Sequence, residues 1–305
     1  MNSSIFLEWR VENDFKNTRV DYYLKKKFKS LSYPYVCTLL RKGLVKVNGK
    51  RVKNSYNLSL DDTIKIKKNL NLHSKEETNF YLSEKYQKII RSWLIYKDRN
   101  FIAINKPSGI AVQGGTKVKI NVDDILEGLR YSAKEKPKLI HRLDKQTSGI
   151  LILARNLKSA AFAGNLFKKK EIKKTYIAIL NGKVLSNKGK IDIPIITKDK
   201  EYDATTFYEA LYISKNISLV KINPLTGRKH QIRKHFFLKD LPIMGETKFI
   251  KSSEKKRITD ELFLHAFKIE FTSLDGKKII LQADLPIYFQ RFLDQYNISL
   301  DYSKI

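Results

Sequence analysis

A single carboxylate stands among cations in LIHRLDKQTSGILILAR (139–155): Asp144 has Arg142 two residues before it and Lys145 directly after. The loop is polar and the runs on either side are apolar and β-branched, so a strand is expected on each flank. An acid on a loop between two buried strands has rigid support, which suits a reacting group. Neighbouring cations keep such an acid ionised at neutral pH, and an ionised carboxylate acts as a nucleophile or as a base. A structural ion pair has the same pattern, because such pairs also perturb acids. On the loop alone both readings stand.

Three further segments carry chemistry-bearing residues. KKTYIAIL (173–180) opens a strand with Tyr176 behind two lysines; its ring suits core packing, or stacking on a base with the hydroxyl handling a proton. NPLTGRKHQIRKH (223–235) reads as a turn leading into a helix, with Arg228 in the turn and Arg233 about one helical turn in, positions natural for phosphate or carboxylate partners. LFLHAFKIEF (262–271) ends an apolar run on His265, which is expected to pack there. Other chemistries lack their signatures. No G-x-x-x-x-G-K-[ST] or G-x-G-x-x-G occurs, and GGTK at 114–117 has the wrong spacing. His230 and His235 are five residues apart, point to different sides of a helix and have no cysteine partner, so no metal set is expected. No G-x-S-x-G elbow supports a serine triad.

The elements that must position these residues are mainly strands. FIAIN, GILILA, TYIAIL, ISLVKIN and KIEF are strand-like in length and composition. Helical periodicity is confined to LKSAAFAGNLFKKK (157–170), KHQIRKHFFLKD (229–240) and, weakly, VDDILEGLR. Strands outnumber helices and do not alternate regularly with them, so a mixed, mainly antiparallel α+β domain is expected over 93–305, rather than a doubly wound sheet. Residues 71–92 read as a polar linker ending in a short helix.

Residues 1–70 form a second expected domain, with its core at 19–67. RVDYYLKKKFKSLSYPYVCTLLRKG holds two short helical patterns, with Leu24 and Phe28 on one face, then Val36, Leu39 and Leu40, and Gly43 where a C-terminal cap belongs. LVKVNGKRV predicts a hairpin turning at Asn48-Gly49, and DDTIKIKK a further strand. Lys25, Lys26, Lys27, Lys29, Arg41, Lys42, Lys46, Lys50, Arg51 and Lys53 crowd this segment. Such a module suits gripping RNA phosphates rather than base edges; a solvated basic surface is the plain alternative.

Composition agrees with a polyanionic partner. The 305 residues carry a net charge of +29, and 42% are hydrophobic. The length suggests about two domains, and the charge draws the chain to nucleic acid, with an anionic membrane second. Only 13 of the 60 basic residues are arginine, so part of the charge is open to a lysine-favouring genome bias. The start, MNSSIFLEWRVENDF, has no apolar core of a secretory signal, no run reaches membrane-spanning length, and Cys37 is the only cysteine. A reducing, cytoplasmic location is expected.

The motifs together resemble a known family. RVDYYL…RKGLVKVNGKRV is similar to the S4 RNA-binding domain. His141–Gly149 matches the H-R-L-D-x-x-T-S-G loop of RluA-type pseudouridine synthases, INKPSGIAVQGG (104–115) their N-K-P-x-G segment, and KKTY their K-x-Y motif. TGRKHQIRKH matches G-R-x-H-Q-[IL]-R, and LFLHA the late L-H-A segment. Gln113 stands where a His is frequent, and Glu246 and Phe249 where Asp and Tyr are usual. The resemblance implies isomerisation of uridine to pseudouridine in RNA, and GIAVQGG…DDILEGLR leans towards the C-type branch acting on large-subunit (23S) ribosomal RNA. It implies no cofactor and no metal. Asp144 would be the essential acid, as nucleophile or as base, Arg233 its ion-pair partner, and Tyr176 the ring stacked on the extruded uracil. Arg142, Arg228, His141, Lys106, Arg41, Lys42, Lys50 and Arg51 would contact RNA, and the enzyme would work as a monomer. The alternative of another class is a non-catalytic S4-type RNA-binding or ribosome-assembly protein.

Overall fold

The computed structural model describes residues 6–28, 31, 33–67, 83–114, 120–133, 135–197, 200–250, 261–302 and 305. Lys29 and residues 71–82 of the expected linker lie outside them. The chain divides into two compact units, Met1–Tyr81 and Leu82–Ile305.

The first unit holds strand β1 (Phe6–Arg10), helices α1 (Val20–Lys27) and α2 (Tyr33–Arg41), and strands β2 (Val45–Val47) and β3 (Thr63–Lys67). Its sheet runs β1-β3-β2, antiparallel throughout. The helical faces read from the sequence supply Leu24, Val36, Leu39 and Leu40 to a core shared with Val45, Val47, Ile64 and Ile66. Gly43, at φ +68°, ends α2: its N–H and that of Leu44 donate to Leu40 and Leu39. Asn48 and Gly49 make the expected tight turn, both at positive φ, with Val47 and Lys50 exchanging two backbone bonds. The second arm of the expected hairpin is not a strand, however. Asn48 turns its side chain to Asp62 and the Thr63 N–H, so β3 pairs with β2 and the chain beyond Lys50 is left outside the sheet.

The second unit begins with α3 (Glu84–Ser92), the helix expected at the linker's end, then β4 (Leu94–Lys97), β5 (Phe101–Lys106) and α4 (Val122–Ile125). There follow β6 (Lys138–Leu139), β7 (Ser148–Ala154), α5 (Leu157–Lys169), β8 (Lys173–Asn181) and β9 (Lys188–Asp192). Next come β10 (Ile195–Thr197), β11 (Lys200–Tyr202), β12 (Thr205–Ile213), β13 (Ile217–Pro224) and α6 (Gln231–Leu238). The unit closes with β14 (Leu264–Thr272), β15 (Lys278–Gln282) and α7 (Ile287–Gln295). Ten strands form one sheet in the order β4-β5-β7-β14-β8-β13-β12-β9, with β15 beside β14 and β6 beside β7. Among the described residues, the strands of this sheet pair antiparallel except β7 with β14. The class is therefore the mixed, mainly antiparallel α+β fold that the strand-rich pattern predicts.

Side-chain alternation explains the layers. On β5 and β7, Ile102, Ile104, Leu151 and Leu153 meet Ile90 of α3 and Val122 and Ile125 of α4. Phe101, Ala103, Ile150, Ile152 and Ala154 meet Ala163 and Leu166 of α5 on the other face. Helices cover both faces, so these central strands are continuously apolar rather than alternating. On β8, Ala178 and Leu180 pack with Ile232 and Phe236 of α6, while Ile177 and Ile179 face Phe289 and Phe292 of α7. Each fully buried Leu, Ile or Phe contributes about 1.5–3 kcal/mol relative to exposure. No helix among the described residues is long and apolar enough to cross a membrane.

Candidate active site

The loop carrying Asp144 is anchored from three sides. Leu143, 4% exposed, sinks into the core beneath α3 and α4. The Thr147 N–H donates to the Asp144 carbonyl, closing a tight turn. Beyond it, Gly149 pairs with Ala266 at the one parallel seam, where an added Cβ would lie 2.3 Å from the Ala266 oxygen. Gly149 has φ +109°, so both space and backbone demand glycine. One strand over, His265 is fully buried, 2.9 Å from the Ser148 hydroxyl and 3.2 Å from the Ala283 carbonyl. It packs, as its position in an apolar run predicts.

The third anchor is the 104–115 segment. Lys106 is completely buried and its Nζ donates to the carbonyls of Pro107 (2.8 Å), Ile110 (2.9 Å) and Lys145 (3.3 Å). Ser108 Oγ donates to the Gln146 carbonyl and the Gly109 N–H to that of Lys145. Burial pushes the Lys106 pKa down to about 7, against the opposing pull of the Asp144 charge. Lys106 thus clasps two loops together and lies out of reach of solvent, where the sequence suggested a side chain free to meet RNA.

Around the carboxylate the geometry departs from a simple Asp–Arg pair. Asp144 Oδ2 lies 2.8 Å from His230 Nδ1 and 3.6 Å from Arg233 Nη1. The Arg233–Asp144 pair is present but long, because the guanidinium fork is committed to Glu246. Its Nε and Nη2 reach the two Glu246 oxygens at 2.7 and 2.6 Å, and Nη2 also meets Gln146 Oε1 at 3.3 Å. Glu246 has no exposed side-chain surface and also accepts the N–H groups of Thr247, Lys248 and Phe249. Its unusual identity therefore has a definite role, as the buried counter-charge of Arg233. Burial alone pushes the Asp144 carboxyl up, but the His230 hydrogen bond and the charges of His230, Arg233 and Arg142 together bring it below the ordinary carboxylate range.

Helix α6 places two of these groups. Its start is locked by Gln231, whose Oε1 accepts from the Thr226 hydroxyl and the Arg228 N–H, and whose Nε2 donates to Thr205 and Thr206. His230 precedes the helix in the left-handed region at φ +57°, and Arg233 lies within the first turn. Tyr176, half-buried on β8, projects from the α6-covered face and packs against two cores at once. Burial first, then the Asp144 charge, raises its pKa, so its phenol holds its proton.

Other residues marked from the sequence lie further out or turn inward. His141 accepts the Ile152 N–H at 2.9 Å and lies beside the Phe167 ring, and burial, aided by the Lys174 charge, lowers its pKa to about 3. It pins β6 to β7. Arg142 is exposed. Arg228 donates to the Asp203 carbonyl with its guanidinium over Tyr202. In the first unit Arg41, Lys42, Lys50 and Arg51 are exposed, and Arg51 donates to the Arg41 carbonyl at the end of α2. Sequence reasoning missed His230, Gln146 and Lys248 at this site. The only signal for His230 was its place inside the G-R-x-H-Q-I-R run.

Comparison with known proteins agrees with this geometry. Residues 100–237 match the RNA pseudouridylate synthase family and residues 18–64 the S4 domain. A protein of Rickettsia conorii named ribosomal large subunit pseudouridine synthase C is 36% identical, over 91% of this chain and 97% of its own length. One of the same name from Buchnera aphidicola subsp. Schizaphis graminum is 30% identical, over 93% of this chain and 95% of its own. Among solved structures, human RNA pseudouridylate synthase domain containing 4 has a TM-score of 0.61 and 26% identity, over 70% of this chain and 96% of that one. With an acid-bearing loop, a tyrosine strand and an arginine helix converging on one sheet face, and relatives matching along nearly its whole length, this chain belongs to the RNA pseudouridylate synthase family, behind an S4 domain.

Proposed function

We propose that the chain isomerises uridine to pseudouridine in 23S ribosomal RNA, with Asp144 as the essential acid. The observation that carries this reading is a carboxylate held ionised on a rigid loop, facing the half-buried Tyr176 ring's side of the sheet. The names of relatives matching over more than nine-tenths of the chain support the ribosomal substrate. In the reaction the N1–C1′ bond breaks, a C5–C1′ bond forms, C5 loses its proton and N1 gains one. Attack on the sugar or uracil ring and removal of a sugar proton both require Asp144 charged, which its cationic surroundings secure.

A paired uridine is inaccessible, so the target base is extruded, at a cost of a few kcal/mol that basic contacts offset. Arg142, exposed beside Asp144, takes the vacated space or an adjacent phosphate. Tyr176 stacks on the uracil. Its phenol, protonated at rest, relays the C5 proton rather than removing it as a phenolate. Arg233 holds Asp144 oriented. Residues 1–70 grip RNA through Arg41, Lys42, Lys50 and Arg51, with Arg228 adding a contact from the second unit. The reaction is internal to the substrate, so no cofactor or metal is required. On this reading the enzyme works as a monomer, and a ribosomal RNA substrate supports a cytoplasmic location. The test is carbodiimide labelling with primer extension on 23S RNA from cells lacking the gene, complemented with wild type or Asp144→Asn. Stops restored by wild type and not by Asp144→Asn are expected; stops restored by both would refute the reading.

A further inference from the structure

We propose that His230 is the positioning residue of the reactive carboxylate: its Nδ1–H pins Oδ2 of Asp144 and leaves Oδ1 as the oxygen that meets the substrate. The inference rests on reading Asp144 as the essential acid. An ionised carboxylate only accepts hydrogen bonds, so the 2.8 Å contact requires the proton on Nδ1. Arg233 Nη1 lies 3.3 Å from the same nitrogen but brings only N–H groups, so it cannot compete for it. Nε2 points away from the carboxylate, and Lys248 Nζ stands 3.4 Å from it.

The ring is fixed on its other sides as well. Phe249 meets it edge-on at 5.6 Å, and Glu246 gathers the N–H groups of Lys248 and Phe249, so one buried carboxylate holds both neighbours of the imidazole. The left-handed backbone of His230 is uncommon outside glycine and persists where surrounding structure dictates it. Here the Gln231 bonds to the turn and to Thr205 and Thr206 supply that constraint. His230 and Arg233 both approach Oδ2, and Oδ1 has no hydrogen-bond partner among the described residues. The groups whose charge acts on Asp144 are His230 and Arg233 from the α6 segment and Arg142 from its own loop. Asp144 acts in turn on Lys106 of β5 and Tyr176 of β8.

The test exploits that backbone. Glycine and asparagine both accept a left-handed conformation, but only asparagine returns an N–H near the position of Nδ1. Single-turnover pseudouridine formation would be followed on 23S RNA from cells lacking the gene, for wild type, His230→Gly, His230→Asn and Asp144→Asn, across pH. His230→Gly is expected to slow the reaction about 10- to 100-fold at unchanged RNA affinity, the scale of one hydrogen bond to a charged group. Its acid limb should move to higher pH, and His230→Asn should recover most of the rate and return the limb. A wild-type rate in His230→Gly, or a slow His230→Asn with an unmoved acid limb, overturns the inference. If the glycine variant fails to fold, His230→Asp against His230→Asn makes the same comparison, an oxygen against an N–H at one position. Activity in Asp144→Asn would refute the reading of the site itself; an inactive Asp144→Asn beside a fully active His230→Gly refutes only the role of His230.

Discussion

Arg233 is the residue on which the site's electrostatics turn. Its side chain is 4% exposed and its charge is shared between Glu246, bidentate, and Asp144, at longer range. Removing one member of a buried ion pair strands the other in low dielectric. Glu246→Ala is therefore expected to cost about 3–5 kcal/mol of stability in urea unfolding, and to release the Arg233 fork towards Asp144. Glu246→Gln keeps the shape and should cost less. The sequence marked Glu246 only as an oddity, because nothing local shows that residue 246 faces residue 233. The Asp144 pKa lies below the ordinary carboxylate value. The rate of a reaction needing this carboxylate charged should accordingly stay flat as pH falls from 7 to about 4, and drop only below that, as a pH-rate profile would show.

Among elements, the parallel seam of β7 and β14 decides where the catalytic loop ends. Gly149→Ala sets a Cβ 2.3 Å from the Ala266 oxygen at a backbone angle only glycine favours. The cost is expected to reach about 2–6 kcal/mol, the sum of backbone strain and overpacking, seen as lost soluble protein or a much lowered Tm. Lys106 ties β5 to the same loop. Lys106→Met keeps the bulk but removes the donor that the Pro107 and Ile110 carbonyls share, while Lys145 keeps the Gly109 N–H, so a loss of about 1–3 kcal/mol per group left unsatisfied is expected, with slower catalysis as the loop loosens. The apolar runs made β5, β7, β8, β13 and β14 legible, since each carries a strand-length stretch of apolar residues. The 50–53 arm misled because an Asn-Gly turn signals a hairpin locally, while pairing was settled by the more distant β3.

The whole molecule carries a net charge of +29 over two compact units. Removing residues 1–81 should leave a second unit that still folds, by circular dichroism, but binds ribosomal RNA more weakly. Its plot of log affinity against log salt should be shallower, because fewer phosphates are neutralised. Acid stability follows from two histidines whose rings are desolvated in the fold. Burial lowers His141 to about 3 and His265 to about 4, both from an unfolded value of 6.5. Depressed folded values mean that their contribution is complete above pH 6.5, erodes below it, and is lost as pH falls through 4 and then 3. Urea unfolding across that window should show the decline, and His141→Gln, which keeps an acceptor for the Ile152 N–H, should flatten it.

The sequence by itself determined the strand-rich class, the helical faces of the first unit, and the loop on which the acid stands. Periodicity and turn chemistry are local, and each is written within a dozen residues. It also singled out Asp144, Arg233 and Tyr176, which lie in three separate motifs. Tertiary structure alone decided which partner each would take. Contacts such as Asp144 with His230, or Arg233 with Glu246, join residues distant in the chain or on separate elements, and no local pattern encodes a distance across a fold. For the same reason Lys106 proved to be an internal fastener, while His141 bonds one strand to the next: burial is a property of the packed sheet.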